Sequence, residues 1–112
     1  MDCLFCKIAA GQIPSNKVYE DDQVLAFYDI DPQAPVHFLV IPKAHISGAD
    51  AITAENSAVV AHIYEVIAAV AKELKLENGF RVVSNVGADG GQTVPHLHFH
   101  VLAGRSLAWP PG

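Results

Sequence analysis

The feature that most constrains this chain is a run of alternating histidine and apolar residues at positions 96–102. In an extended strand successive side chains point to opposite faces, so His96, His98 and His100 share one face. Imidazoles two residues apart on a strand lie roughly 6–7 Å apart, which allows the outer two to orient the strand or bind a metal. The pattern therefore predicts a strand that carries an active site or a metal site. A half-exposed strand whose histidines are merely solvated is the alternative.

Length and charge restrict the possible folds and functions. The 112 residues, of which 51% are hydrophobic, are enough for one compact domain over 1–112 and too few for two. The net charge of −5, with no cluster of lysine or arginine, disfavours nucleic-acid binding through a basic groove. No segment approaches the length of a membrane span. The first residues lack the basic start and long apolar run of a signal peptide, so we expect a cytoplasmic protein.

Hydrophobic periodicity predicts two helices and five strands. Apolar residues recur at helical spacing over 53–76, which predicts one long helix with Thr53 as its N-cap and Asn78-Gly79 as its stop signal. Five strands joined mostly by short turns predict an α+β fold with a mainly antiparallel sheet. The other expected elements are a short helix over 4–10 and strands over 18–20, 23–30, 36–41, 80–86 and 97–103.

A glycine-rich loop over 87–93 leads directly into the histidine strand. Glycines let backbone amides approach an anion closely, so this loop is a candidate phosphate cradle, and a permissive hairpin turn is the simpler interpretation. Asp29 and Asn85 each end an apolar strand. In such a place a polar side chain either hydrogen bonds to a ribose or caps a turn.

Both cysteines, Cys3 and Cys6, form one Cys-x-x-Cys pair. Without a secretion signal the pair indicates a metal site or a redox pair more than a structural disulfide, and two buried thiols are a third interpretation. A redox motif follows a strand and opens a helix, and we expect no such strand before Cys3. Zinc would need two further ligands, for which the chain offers six histidines. His62 is disfavoured because it lies in the middle of the long helix.

With these motifs together, the chain resembles the histidine triad (HIT) proteins, and within them the Hint branch of purine nucleoside phosphoramidases. The resemblance covers essentially the whole length, through the motifs at 96–102 and 90–93, Asp29-Ile30, the segment 32–43 and the terminal Trp-Pro-Pro-Gly at 109–112. The terminal motif favours the Hint branch over the dinucleoside polyphosphate hydrolase and uridylyltransferase branches. The resemblance implies a HIT-type fold with one long and one short helix, and a homodimer whose sheets join into one continuous sheet.

The resemblance also implies an enzyme that cleaves nucleoside 5′-phosphoramidates and acyl nucleotides at the α-phosphate. His98 matches the nucleophile, which forms a nucleotidyl-histidine intermediate that water hydrolyses to a nucleoside monophosphate. The backbone carbonyl of His96 is expected to hold the protonated ring nitrogen, since a neutral imidazole has one protonated and one bare nitrogen. His100 matches the residue that holds the phosphate oxygens, His37 a proton relay, and Thr93 a hydroxyl near the leaving group.

A nucleotide-binding site follows from the same resemblance. Asp29 is expected to bind the ribose hydroxyls, Asn85 to fix the ribose–phosphate end, and Gln92 to lie near the bridging atom of the substrate. The apolar members of the site form a slot for the base, although Phe5 and Ile8 are equally well explained as plain core residues. The full set implied for nucleotide binding is Phe5, Ile8, Phe27, Asp29, Ile30, Asn85, Gly91, Gln92, Thr93, His98 and His100.

Zinc and a partner subunit are the last expectations from the resemblance. The implied zinc ligands are Cys3, Cys6, His45 and His96, a closed set that would be structural and not required for catalysis. In the homodimer the C-terminal tail would reach the active site of the partner and place Trp109 near its leaving-group pocket.

Three other functions stay open at this point. A dinucleoside polyphosphate hydrolase would use the same His98 chemistry on a different substrate. A nucleotide-binding scaffold would show only incidental hydrolysis. A zinc-dependent hydrolase would lose its activity when the metal is chelated.

Overall fold

The computed structural model describes residues 3–112 and contains the two α-helices and five strands that the sequence predicts. The elements are α1 Leu4–Ala9, β1 Lys17–Glu20, β2 Val24–Tyr28, β3 Val36–Pro42, α2 Ser57–Glu73, β4 Phe80–Val83 and β5 Phe99–Ala103. All strands belong to one antiparallel sheet in the order β1-β2-β3-β5-β4. A short 3-10 helix over Ala49–Ala51, which the sequence analysis did not predict, precedes α2. No helix among residues 3–112 combines the length and hydropathy that crossing a bilayer requires.

The sheet, with β3 as its central strand, separates two apolar layers. Its residues 37–42 are all buried, as the continuous apolar run predicts. One face of the sheet packs against α2, whose buried residues include Ile63 and Ile67. The other face packs against α1 through Phe5 and Ile8. Burying one side chain of this size contributes roughly 1.5–3 kcal/mol, so apolar contacts hold both helices on the sheet.

The long helix is shorter at both ends than predicted. It begins at Ser57, after the N-cap Asn56. Thr53 instead opens a separate turn, because its carbonyl oxygen accepts from the Ser57 amide at 2.9 Å and from the Asn56 amide at 3.2 Å. At the other end Lys75 adopts the left-handed conformation, with φ of 58°, which stops the helix there. The predictions of Thr53 as N-cap and Asn78-Gly79 as stop signal are therefore wrong.

The strand that carries the histidines starts later than predicted, at Phe99. Continuing the β3–β5 register beyond the Val40–Phe99 pair places Pro42 opposite position 97. Proline has no N–H to donate, so the ladder ends there. The predicted alternation of histidines on one face and apolar residues on the other is nevertheless observed. Side chains 97, 99 and 101 lie in the core beneath α2, and the first two histidines contact Phe5 of α1 on the opposite face.

A histidine outside the alternating motif, His62 on α2, lies between two carboxylates. Its Nε2 is 2.6 Å from Asp21 Oδ2 and its Nδ1 is 3.2 Å from Glu65 Oε1. Asp21 also accepts hydrogen bonds from the amides of Gln23 and Val24, and so joins the β1–β2 turn to α2. The hydrogen bond with Asp21, followed by that with Glu65, raises the pKa of His62.

Asp21→Asn should lower the melting temperature more at pH 6 than at pH 9. A histidine whose pKa is raised in the folded state stabilises the fold below its unfolded pKa of about 6.5, and this contribution is lost as pH rises through the folded value. A partly exposed pair is worth about 0.5–1 kcal/mol, or roughly 2–8 °C in Tm. Circular dichroism melts measure the difference. Glu65→Gln, on a side chain 76% exposed, is the control and should change Tm by less. Equal losses of Tm in Asp21→Asn at both pH values would contradict the stabilising contact between Asp21 and protonated His62.

Candidate active site

A cavity of about 310 Å³ lies beside the histidines on the α1 face of the sheet. Its wall is mostly apolar, and its polar side chains include two imidazoles, one carboxylate and one threonine hydroxyl. An apolar wall with a few convergent polar groups is typical of a small-molecule site. The lining residues are Leu4, Phe5, Ile8, Phe27, Tyr28, Asp29, Ile30, Leu39, Thr93, Val94, His98 and His100.

The ring of His98 is fixed by one hydrogen bond. Its Nδ1 is 2.6 Å from the backbone carbonyl oxygen of His96, the acceptor that the sequence analysis names. Because a carbonyl oxygen only accepts, Nδ1 carries the proton and Nε2 keeps its lone pair in the neutral imidazole. Ser84 Oγ donates to the carbonyl oxygen of His98 at 3.1 Å, a contact that the sequence analysis missed. Phe5 packs edge-on against the same ring, with 5.1 Å between centroids.

His100 is oriented by a second histidine, His37 on β3. The Gln33 amide donates to His37 Nδ1 at 3.0 Å, so the proton of a neutral His37 sits on Nε2. That Nε2 lies 2.9 Å from His100 Nδ1, which must then accept, and this leaves the proton of His100 on its own Nε2. Asp29 Oδ2 lies 3.5 Å from His37 Nε2. The cavity is therefore lined by one imidazole with a bare nitrogen, His98, and one with an N–H donor, His100.

The direction of these hydrogen bonds favours an orienting role for His37 over the relay that the resemblance implies. A relay takes up a proton at one ring nitrogen while it releases another. The hydrogen that faces His37 Nδ1 belongs to a peptide amide and does not transfer. His37 is also buried, and the hydrogen-bond partner of that nitrogen is the Gln33 amide.

Burial is the main cause of a His100 pKa that is lowered to about 4. The neighbouring rings of His98 and His37 act in the same direction, and Asp29 opposes them. His100 is therefore neutral at pH 7 and available as a hydrogen-bond donor. Between pH 6.5 and 4 the unfolded chain binds more protons at this residue than the folded chain does, so its contribution to stability becomes less favourable as the pH falls.

Imidazole ¹⁵N NMR at pH 5.5 should show His100 still neutral while His62 is protonated. The two residues have pKa values shifted in opposite directions, the first by burial and the second by its carboxylate partners. Asp29→Asn should lower the pKa of His100 further, because it removes the group that opposes the shift. A protonated His100 at pH 5.5 would contradict the hydrogen-bond arrangement described above.

The glycine-rich loop before the histidines is braced by Gln92. Its Nε2 donates to the carbonyl oxygens of Ser47 and Val94 at 2.8 and 3.1 Å, and its Oε1 accepts from the Gly87 amide at 3.1 Å. The side chain expected near the bridging atom thus makes hydrogen bonds within the protein. Gly87 and Gly91 have φ of 68° and 77°, a conformation that strains other residues, so the loop needs glycine at both positions.

The structure brings together most, but not all, of the residues expected to bind a nucleotide. Asn85, Gly91 and Gln92 do not line the cavity. Phe5 and Ile8 are buried core residues and also part of the cavity wall, so the interpretations as core and as cavity lining both apply to them. The expected residues that line the cavity are Phe5, Ile8, Phe27, Asp29, Ile30, Thr93, His98 and His100.

Four cavity residues were missed by the sequence analysis. Leu39 shares the face of His37 because both lie at alternate positions of β3, so strand periodicity contained that signal. Val94 directly follows the expected Thr93. Leu4 and Tyr28 are likewise chain neighbours of expected residues, and adjacency in the chain gives no independent signal for any of the three.

A cluster of two thiols and two imidazoles lies at the start of α1. Cys3 Sγ is 3.3 Å from His96 Nδ1, and Cys6 Sγ is 3.2 Å from His45 Nδ1 and 3.5 Å from His96 Nδ1. All four ligand atoms lie within 4.8 Å of one another. Tetrahedral zinc, with Zn–S bonds of about 2.3 Å and Zn–N bonds of about 2.0 Å, separates sulfur from nitrogen by about 3.5 Å. The four side chains expected as zinc ligands therefore fit that ion.

His96 has the hydrogen-bonding arrangement that a metal ligand needs. Its Nε2 donates to the carbonyl oxygen of Pro42 at 2.8 Å, which leaves the lone pair of Nδ1 directed at the two sulfurs. A backbone acceptor on the second ring nitrogen is the usual device that fixes the orientation of a metal-bound imidazole. His96 is fully buried, so this orientation is also protected from water.

The C-terminal tail is hydrogen bonded to Arg81 on β4. Arg81 Nη2 donates to the carbonyl oxygens of Leu107 and Ala108 at 3.2 and 3.0 Å. Trp109, the next residue, is 82% exposed and does not line the cavity. The tail thus presents a large aromatic side chain on the surface of the single chain.

Comparisons with known proteins agree with this geometry. The HIT domain family matches residues 10–107. A solved histidine triad protein from Clostridium difficile is 55% identical, with a TM-score of 0.94 over 96% of this chain and 95% of that chain. A HIT family hydrolase from Legionella pneumophila is 48% identical, with a TM-score of 0.97 over 99% of this chain and 100% of that chain. A 14 kDa zinc-binding protein from Zea mays is 46% identical over 97% of this chain and 87% of that protein. The chain therefore belongs to the HIT domain family.

Proposed function

We propose that the protein hydrolyses purine nucleoside 5′-phosphoramidates and acyl nucleotides at the α-phosphate through a nucleotidyl intermediate on His98. One observation carries the proposal: His98, whose Nδ1 is held by the His96 carbonyl oxygen, lines the same cavity as His100, whose Nδ1 faces His37 Nε2. Displacement at phosphorus needs a nucleophile and a donor for the charge that develops on the phosphate oxygens. The Legionella pneumophila relative is named a hydrolase, which supports this class of reaction.

The proposed reaction has two displacement steps. First, the Nε2 lone pair of His98 forms a bond to the α-phosphorus, and the bond from phosphorus to the leaving nitrogen breaks. The departing amine takes one proton, for which His100 Nε2–H and the Thr93 hydroxyl are the candidate donors. The cationic ring stays held through Nδ1–H by the His96 carbonyl. Second, water attacks phosphorus, the electron pair of the nitrogen–phosphorus bond returns to His98, and the proton of the water passes to the donor.

The same cavity is proposed to hold the nucleoside. Asp29 would accept hydrogen bonds from the ribose hydroxyls, and Ile30, fully exposed at the rim in this structure, would cover the base. Asn85, Gly91 and Gln92 lie outside the cavity wall. Gln92 is proposed to hold the glycine-rich loop near the phosphate by accepting from the Gly87 amide, and Asn85 is proposed to fix the ribose–phosphate end. The apolar slot for a purine would consist of Phe5, Ile8, Phe27 and Ile30.

Zinc is assigned to the cluster of Cys3, Cys6, His45 and His96 in a structural role. Four protein ligands leave no open position for substrate or water, which is the pattern of structural zinc sites. The bound ion would join α1 to the segment before β5 and supply no group to the reaction. The name of the Zea mays relative, a zinc-binding protein, supports the assignment.

A homodimer is inferred in which the β4 strands of two copies pair. β4 forms one edge of the sheet, and an unpaired edge is a ready template for a second chain. Phe80 on β4 and Tyr64 on α2 expose 41% and 48% of their surfaces, which a dimer would cover. In such a dimer the tail that Arg81 anchors would carry Trp109 toward the leaving-group pocket of the partner.

Intact mass spectrometry tests the covalent intermediate. The protein is mixed with adenosine phosphoramidate, quenched rapidly in denaturant, and weighed. We expect a transient adduct of one AMP group that is absent in His98→Ala. His62→Ala is the matched control and should retain the adduct, because His62 lies on α2 outside the cavity.

Other outcomes would identify the alternative functions. Turnover without an adduct, abolished by chelation, would indicate a zinc-dependent hydrolase. Faster hydrolysis of diadenosine triphosphate than of adenosine phosphoramidate would indicate a dinucleoside polyphosphate hydrolase. A biological phenotype that survives His98→Ala would indicate a nucleotide-binding scaffold.

A further inference from the structure

The metal cluster and the nucleotide cavity share the helix α1. Cys3 is its N-cap and Cys6 lies within it, and both belong to the cluster. Leu4, Phe5 and Ile8 of the same helix line the cavity. With six residues, α1 is too short to be stable by itself. Its position therefore depends on what holds its two thiols and its buried apolar side chains.

Phe5 connects the two sites directly. It lies between the two cysteines in sequence, and its ring packs edge-on against the ring of His96 at 6.0 Å and that of His98 at 5.1 Å between centroids. Phe27 packs against it at 5.6 Å from within the cavity wall. Any displacement of α1 would thus move the aromatic ring that supports His98.

His96 connects the two sites a second time. Its Nδ1 faces the two sulfurs of the cluster, whereas its backbone carbonyl oxygen accepts from His98 Nδ1 at 2.6 Å. The ring is also tied to the carbonyl oxygen of Pro42. A metal bound to Nδ1 would therefore restrain the same residue that sets the orientation of His98.

We propose that metal binding at the cluster and nucleotide binding in the cavity are linked equilibria, each strengthening the other through α1 and His96. The inference rests on the proposed function, because it takes a nucleotide as the ligand of the cavity. With the metal bound, Leu4 and Phe5 form a fixed wall of the cavity. Without it, the nucleotide must order α1 as it binds. Linkage is reciprocal, so zinc and the nucleotide raise each other's affinity by the same factor.

Two titrations of the full chain measure this factor. Calorimetric titration with AMP should show binding to the zinc-loaded protein at least about ten-fold tighter than to the chelated protein. The affinity for zinc, measured by competition with a chelating indicator, should rise by the same factor in saturating AMP. On zinc removal, amide hydrogen exchange in residues 3–13 should approach that of an unfolded chain, whereas the sheet should lose only part of its protection.

Phe5→Ala tests the connection with the metal ligands intact. We expect this variant to bind zinc and to lose most of the coupling factor between zinc and AMP. Ile13→Ala is the matched control: it shortens an apolar side chain packed against the same core, outside both the cluster and the cavity wall. The control should keep the coupling factor of the unmodified protein.

The outcomes separate this inference from the proposed function. Equal AMP affinities with and without zinc would overturn the linkage and leave the nucleotide site standing. AMP binding to neither form would overturn the nucleotide site, and the linkage with it. Complete loss of exchange protection in the sheet on zinc removal, to the level of residues 3–13, would show that the metal holds the entire fold and would overturn the local role of α1.

Discussion

His98→Ala should lower kcat/KM for adenosine phosphoramidate by about 10⁴–10⁶-fold, since loss of the nucleophile of a covalent hydrolase can cost up to about 10⁶-fold in rate. The cavity offers no substitute for the Nε2 lone pair. His100 accepts at Nδ1 from His37 and carries its proton on the other nitrogen. The His96 carbonyl would remain in place but would have no ring to orient. Steady-state kinetics under identical conditions for both proteins measure the loss.

His62→Ala is the control for this experiment, because it removes an imidazole that lies between surface carboxylates and not in the cavity. Its kcat/KM should match that of the unmodified protein at a temperature where circular dichroism shows both to be folded. Retention of more than roughly a hundredth of the activity by His98→Ala would contradict nucleophilic catalysis at this position.

Removal of zinc should lower the melting temperature by roughly 15–30 °C. A ligand that binds only the folded state, present at about 1,000 times its Kd, stabilises that state by about 4 kcal/mol. A domain of about this size shifts by about 4–8 °C per kcal/mol. The ligands are well placed for such an effect, since His96 is fully buried and the cysteines hold a helix too short to persist alone. Thermal melts with and without a chelator measure the change.

Cys3→Ser separates metal loss from other effects of the chelator. The variant should have a Tm close to that of the chelated protein, and the chelator should not lower it further. Elemental analysis should find one zinc per unmodified chain and less in the variant. A chelated protein that is free of zinc and melts at the original temperature would contradict the structural role.

The faces of the histidine segment follow from sequence because they depend on a local rule, the alternation of side chains along an extended chain. That rule holds at Leu97 although the regular strand starts only at Phe99. The start itself was not predictable, because it depends on the register that brings Pro42 opposite position 97. The start of the long helix was misplaced because both Thr53 and Asn56 are good capping residues, and the local turn in which Thr53 and Asn56 bond to each other decides between them.

The composition of the site was easier to predict than its internal hydrogen bonds. The resemblance named the two histidines of the cavity and the four side chains of the metal cluster, which the structure brings together. It placed Gln92 near the substrate, whereas its amide is bonded to loop carbonyls. No sequence pattern shows which backbone groups lack partners. The tautomer of His37 could not be predicted for the same reason, since it depends on the amide of Gln33.

The hydrogen-bond chain that starts at the Gln33 amide runs in one direction only, through His37 to His100. If His100 gives up its outer proton, His37 cannot replenish it without becoming an imidazolate, because the peptide hydrogen opposite its Nδ1 stays where it is. In the proposed reaction, the proton that returns to His100 must then come from the solvent side of the cavity. One incoming water molecule would release the product from His98 and return a proton to His100 in the same step. Each cycle would therefore end with both rings in their starting protonation states.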